Sequence, residues 1–270
     1  MIYLTINLEE KDPRPRNGSG GRGTLCSLKA TEKILDLLKE HQVKATFFVS
    51  GFFAEKVPEL TKRISEEGHE IGCQGYNPSY DNMDKKTIKE DMQKAKQIIE
   101  ELIGNKIMGF RAPKMKYVPE VVENVFDLGF AYDSSLISAK VSDDYNHKLA
   151  PLKPFHPLRS GPFLEIPVSG SLRLRLPFTS SMMRTFGAGW MIKACRKLLK
   201  DDLTPVISIH AWDLFPNTNK DLSSHLNNTG EKFADMLKKI LFEFQGEFKM
   251  LKELIPKEEI IKKKEEVVKI

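Results

Sequence analysis

Cysteine and tryptophan are scarce in this chain, long apolar runs are missing, and neither sign of charge dominates. Its 270 residues include three cysteines and two tryptophans. Cys26, Cys73 and Cys195 are far apart, odd in number and in no CxxC pair, which argues against a disulfide framework or a structural zinc knuckle. Nowhere do about 18 apolar residues follow one another, so no membrane-crossing helix is expected. Met1 leads directly into Ile2-Tyr3-Leu4-Thr5, without the basic start, apolar core and small-residue cleavage site of a secretory leader. These absences make a reducing cytoplasm the expected compartment. Lys and Arg number 42 against 37 Asp and Glu, a net charge of +5, and the two signs interleave. No stripe for nucleic acid is expected from such a pattern.

What the sequence does contain is alternation. Its 40% apolar and 29% charged residues are ordinary for a globular protein, and the length suffices for one large α/β domain or two small ones. Ile2, Leu4, Ile6 and Leu8 alternate with Tyr3, Thr5 and Asn7, the period of a strand. Further strands are expected at 45–49, 70–73, 107–110, 130–132, 164–168 and 205–209, with an eighth at 248–251. Between them, helices are expected at 30–41, 58–67, 84–102, 119–128, 190–199 and 231–244. The clearest is 84–102, where Ile88, Met92, Ala95, Ile99 and Leu102 recur at three- and four-residue steps. Strand and helix in such regular succession imply a parallel sheet, open or closed into a barrel. The stretch 134–163 lacks periodicity and reads as an excursion from it. No linker divides the chain, so residues 1–255 read as one barrel unit and 256–270, rich in charge, as a tail or docking helix.

Ligands of such sheets bind at the carboxyl ends of the strands. The polar residues there are Asn7 with Glu9 and Glu10, Gln74 with Tyr76 and Asn77, Arg111, Asp133 with Ser134 and Ser135, and His210 with Trp212 and Asp213. One motif misleads. Gly18-Ser19-Gly20-Gly21-Arg22-Gly23 matches G-x-G-x-x-G, but nine residues separate it from Leu8, and the second strand ends in Val49-Ser50-Gly51 without the acid that would hold a ribose. It reads as a flexible loop, in which Arg14, Arg16 and Arg22 suit an anionic group.

The segments YLTINLEE, VKATFFVSG, EEGHEIGCQGY, GFRAP, LGFAYDSS, PVISIHAWDL and FKMLKEL occur in an order that resembles the polysaccharide deacetylase family, carbohydrate esterase family 4. That resemblance implies a distorted (β/α) barrel with seven or eight strands, and metal-assisted removal of acetyl groups from sugars. It also implies a metal held by an Asp and by two His four residues apart, a second Asp as base, a late His as acid and an Arg that orients the base. Carried over, the base falls on Asn7, whose amide accepts no proton at useful pH. The metal-binding acid falls on Leu8, with Glu9 left as a possible ligand. The two His fall on Gln74, a weak oxygen ligand, and on Pro78, which has no donor. Arg111 and His210 match the orienting arginine and the acid.

Each residue also has a plainer reading. Arg111 pairs with Asp133 in the core or binds substrate; Trp212 stacks on a sugar or packs; Glu9, Glu10 and Asp12 form a solvated loop or a rebuilt cation site. His69 bonds backbone, Cys73 packs as a small apolar group, and His147 and His156 read as surface residues. The resulting expectation is a protein of carbohydrate metabolism that binds an N-acetylated or otherwise sugar-linked ligand, with metal-dependent deacetylation lost. Asn7, Arg111 and His210 would stand at the former catalytic positions. Tyr76, Asp133, Trp212 and Asp213 would contact the ligand, and Glu9 and Gln74 would hold any metal. No cofactor is expected unless a zinc-like divalent site has been rebuilt; a protein partner remains open. The alternatives are an active hydrolase of C–N bonds in acetylated sugars with a rewired site, and a structural or assembly protein.

Overall fold

The computed structural model describes residues 1–10, 22–141, 147–158, 162–216 and 227–256. Eight parallel strands alternate with seven helices: β1 (Ile2–Leu8), α1 (Arg22–Glu40), β2 (Thr46–Val49), α2 (Gly51–Lys56), α3 (Pro58–Glu66), β3 (Glu70–Cys73), α4 (Lys85–Ile103), β4 (Gly109–Phe110), α5 (Pro119–Asp127), β5 (Tyr132–Asp133), β6 (Leu164–Glu165), α6 (Ser180–Lys200), β7 (Val206–His210), α7 (Glu231–Glu243) and β8 (Phe248–Lys249). The sheet order is β6-β5-β4-β3-β2-β1-β7, with β8 paired to the start of β1. This is the expected distorted (β/α) barrel. Between β6 and β7 the wall continues as irregular chain, where Ser169 donates its N–H to the Val206 carbonyl at 3.1 Å and Ser208 to that of Phe178 at 2.9 Å.

Both faces of the strands are buried, and the period of two sorts their side chains between two environments. Ile2, Leu4, Ile6 and Leu8 pack outward against the helices with Phe47, Val49, Ile71, Cys73, Phe110, Ile207 and Ile209. Tyr3, Phe48, Tyr132, Leu164, Ile166 and Val206 point inward and form a second, smaller core. At roughly 1.5–3 kcal/mol per large side chain removed from water, these two cores dominate the stability of the fold.

Local chemistry sets the boundaries. Asp84 caps α4 by accepting the Thr87 N–H at 2.7 Å, and Gly104 closes it in the left-handed region at φ 65°. Ser50 caps α2 through the Phe53 N–H at 3.3 Å; six residues are too few to show a period, so this helix escapes sequence reading. α1 starts eight residues before the expected 30, and α6 starts ten before 190. α6 bends at Gly187 (φ 79°, ψ 170°), which interrupts the apolar pattern of its first two turns.

The expected excursion also begins too early. Leu136, Ile137 and Ala139 are buried, and Ile137 bridges Val168 alongside β6, so the first part of 134–163 is barrel wall. At the other end of the barrel, the turn Leu251–Leu254 closes the bottom: Leu251 N–H donates to Thr46 Oγ1 at 2.9 Å and Lys252 N–H to Glu70 Oε2 at 3.0 Å. Glu70 also accepts from Thr46 Oγ1 and from Tyr132 Oη, at 2.7 and 2.8 Å. Burial raises its pKa. The tail beyond 256 lies outside the described residues.

Candidate functional site at the strand ends

The inward phase that places Tyr3 and Phe48 inside the barrel carries on to Asn7, Gln74, Arg111 and His210. The cleft these residues border is built from that phase. Arg111 is fully buried and forms its hub. Its Nε donates to the Ser134 carbonyl at 2.9 Å and its Nη2 to Ser134 Oγ at 2.9 Å. Nη1 reaches Thr5 Oγ1 at 2.8 Å, Asn7 Oδ1 at 2.9 Å and Ser208 Oγ at 3.2 Å. The guanidinium lies 4.1 Å from the centre of the Phe48 ring. A desolvated cation is thus satisfied largely by neutral oxygens, and Asn7 is one of them.

Above this hub Glu9 joins two strands. Its Oε1 stands 2.8 Å from His210 Nδ1, and its Oε2 accepts Gln74 Nε2 at 3.3 Å. Gln74 is only 3% exposed, and its Oε1 has no hydrogen-bond partner among the described residues. His210 stacks on Trp212 with centroids 4.9 Å apart and planes at 22°. A cleft of about 230 Å³ opens here, lined by Glu9, Glu10, Ser50, Phe52, Gln74, Tyr76, Asn77, Pro78 and Pro113. A larger, open groove of about 670 Å³ runs between α4 and the end of α5, away from all the strand-end residues.

The loop after β3 is held from outside the cleft. Asp91, buried on α4, accepts the backbone N–H of Tyr76 at 2.8 Å and of Asn77 at 2.9 Å, the Asn77 side-chain amide, and Tyr80 Oη at 2.9 Å. Gly75 takes φ 68° there, and a Cβ on it would lie 2.3 Å from Tyr80 Oη. Sequence reading missed Asp91, although a visible signal existed: it is an acid at a core-facing step among Ile88, Met92 and Ala95.

The other site candidates separate. Asp133 is fully buried and out of phase with the inward set, so it does not line the cleft; its Oδ1 accepts Ser135 Oγ at 2.5 Å. It lies across from Glu165 on β6, and burial raises both carboxyl pKa values, with Asp133's charge raising Glu165 further. Asp213 is also fully buried, ion-paired with Arg184 and accepting the His210 N–H at 3.1 Å. Neither acid is open to a ligand, and both support the wall behind it. Tyr76 lines the cleft while its hydroxyl donates to Glu55 at 2.8 Å and Lys94 covers its ring. His69 is buried and accepts the Ala45 N–H at Nδ1, 3.3 Å. His147 packs edge-on against Tyr117, and His156 meets the Phe163 carbonyl at 3.0 Å. Asp12, Arg14, Arg16 and the G-x-G-x-x-G loop before Arg22 lie outside the described residues, as does the Arg22 side chain.

The divalent metal that the family resemblance implies finds no fitting donor set among the described residues. Leu8 is buried in the outer core, Pro78 has no donor, and the Gln74 amide nitrogen is bound to Glu9. Among the described residues no cluster of three His, Cys, Asp or Glu could hold a metal ion. Nor is any described helix long and apolar enough to cross a membrane.

Comparison with known proteins agrees with this geometry. The family description polysaccharide deacetylase matches residues 23–132. A peptidoglycan-N-acetylglucosamine deacetylase of Bacillus cereus is 46% identical over 99 residues, covering 36% of this chain and 34% of that protein. The chain spans between 28% and 48% of the length of the first curated relatives it matches. Among solved structures, a family 4 carbohydrate esterase from Streptomyces lividans shares the fold at 13% identity and TM-score 0.53, over 91% of this chain and 88% of that one. A family 4 pseudoenzyme from Bacillus anthracis shares it at 18% identity and TM-score 0.54, over 95% of this chain and 65% of that one. A mutant of that pseudoenzyme is described as having restored enzymatic activity. The matched segment, the curated relatives and the barrel agree: over residues 23–132 this chain is similar to the polysaccharide deacetylase family, and it shares the fold of family 4 esterases.

Proposed function

We propose that this protein binds an amino-sugar glycan, N-acetylated or sugar-linked, at the ends of its strands, and that metal-dependent deacetylation has been lost. The observation that carries this reading is the donor chemistry at the family's positions: Asn7 bonded to Arg111, Leu8 in the core, Gln74 bonded to Glu9, and Pro78. General-base catalysis supplies about 10²–10⁴ in rate and a bound metal several kcal/mol of charge stabilisation, so a site without either keeps little of the activity. The cleft and the aromatic pair of His210 and Trp212 remain as a binding surface. A cytoplasmic place fits Cys73 and Cys195, both buried as thiols.

Acetate release from N-acetylated oligosaccharides by pure protein, with zinc, cobalt or nickel added, tests the reading together with glycan binding by calorimetry. Saturable binding without acetate release supports it. The close approach of Glu9 to His210 favours a second reading, an active hydrolase with a rewired site. Metal-stimulated acetate release that disappears in Glu9→Ala and His210→Ala would establish that one instead.

A further inference from the structure

We infer that the strand-end cleft selects the free amine of a de-N-acetylated amino sugar over the acetamide. The inference rests on the glycan-binding reading and narrows its ligand. The described lining offers many acceptors and few donors. Glu9 and Glu10 bring two carboxylates, and no Lys or Arg is among the described lining residues. The amides and the phenol of the lining each have an acceptor, the Asn77 side-chain amide on Asp91, the Tyr76 hydroxyl on Glu55 and Gln74 Nε2 on Glu9, which leaves the Ser50 hydroxyl as the remaining side-chain donor group. Lys94 sits over the Tyr76 ring at 3.3 Å but does not line the cleft.

Gln74 supplies the independent sign of a ligand. Its side chain lines the cleft, is 3% exposed, and keeps Oε1 without a hydrogen-bond partner among the described residues. A buried amide oxygen in that state calls for a donor brought by whatever binds. An ammonium group offers three donors, no acceptor and one positive charge, and so answers both Gln74 Oε1 and the carboxylates. An acetamide presents a carbonyl oxygen to the same surface, where two carboxylates face it and no described lining residue is a Lys or Arg. Phe52, Pro78 and Pro113 give the apolar walls on which a sugar ring rests. The volume of about 230 Å³ has room for a single sugar unit.

The test is calorimetric titration of the full chain with four probes: a β-1,4 glucosamine oligosaccharide, its fully N-acetylated counterpart, spermidine, and an oligosaccharide containing glucuronate. The glucosamine oligomer is expected to bind at least tenfold more tightly than the acetylated one. That preference should fall to within about twofold in Glu9→Gln, with Glu10→Gln as the second variant should the first fail to fold by circular dichroism. Equal or tighter binding of the acetylated oligomer overturns the inference and leaves the proposed function standing. Spermidine binding as tightly as the glucosamine oligomer overturns it as well, showing a general cation site. Tighter binding of the glucuronate probe reverses the charge assignment and also overturns it. If none of the sugars binds, the glycan-binding reading itself fails.

Discussion

Arg111 Nη1 stands 2.9 Å from the amide oxygen of Asn7, at the position where the family resemblance implies an arginine beside a basic carboxylate. Arg111 also serves Thr5, Ser208 and Ser134, so its role as a positioning residue is inseparable from its role in the core. Arg111→Met would take the guanidinium donors away from Thr5 Oγ1, Asn7 Oδ1 and Ser134 Oγ, whereas Ser208 Oγ keeps the Asn7 amide. At ~1–3 kcal/mol for each unsatisfied group, a loss of roughly 3–5 kcal/mol is expected after partial relaxation. Urea unfolding checks this, with a lowered midpoint at unchanged slope.

Restoring the missing donors gives a second prediction. The variant combining Asn7→Asp, Leu8→Asp, Gln74→His and Pro78→His should bind about one equivalent of zinc or cobalt and release acetate from an N-acetylated oligosaccharide. Leu8 is the costly position, because it packs in the outer core, and an unpaired acid there costs on the order of several kcal/mol. The metal-free variant should therefore melt lower than the parent and recover when metal is added. Metal content and melting with and without chelator would show it.

His69 makes the fold sensitive to acid. Its ring is buried against Phe47 and beside Lys44, and burial first, then the lysine, lowers its pKa from 6.5 to about 4. Between those values the unfolded chain holds more of the proton than the folded one, so stability falls as pH falls from about 6.5 towards 4. The expected loss from this group is up to ~3 kcal/mol across that window. Chemical unfolding at several pH values should show a flatter profile in His69→Asn, which keeps an acceptor for the Ala45 N–H without a titrating ring.

Gly75→Ala is expected to damage the loop after β3 rather than the barrel. The residue sits at φ 68°, and its new methyl group would meet Tyr80 Oη and Asp91 Oδ1 at 2.3 and 3.0 Å. The strained backbone conformation and the displaced Asp91 contacts together should cost roughly 2–4 kcal/mol. Hydrogen exchange should locate the added opening at the amides of Tyr76 and Asn77.

The alternation of β1 was legible in the sequence because Ile2 to Leu8 is a clean period of two, and with parallel pairing it places Thr5 and Asn7 inside the barrel. The same alternation decides the fate of Asp133. One residue out of phase with Arg111's neighbour Ser134, it turns away from the cleft and pairs with Ser135. No phase could be assigned from Phe130 to Ser135 alone, since β5 has only two residues in its ladder. Asp213 escaped for another reason: Arg184, its partner, is 29 residues earlier, on a part of α6 that Gly187 concealed. That Gln74 Oε1 has no partner among the described residues depends on the barrel's strands meeting, and no local pattern carries it.

Asp91 works on the loop from a neighbouring helix. Two backbone amides, a side-chain amide and a phenol converge on a carboxylate that takes no part in lining the cleft. Where the loop stands and what it presents are therefore governed by different positions in the sequence. A substitution at 74 or 78 changes the chemical groups on offer and leaves the path of the chain alone, whereas one at 91 would move the whole rim. The strand ends are a mould whose contents can be exchanged while the casting stays the same.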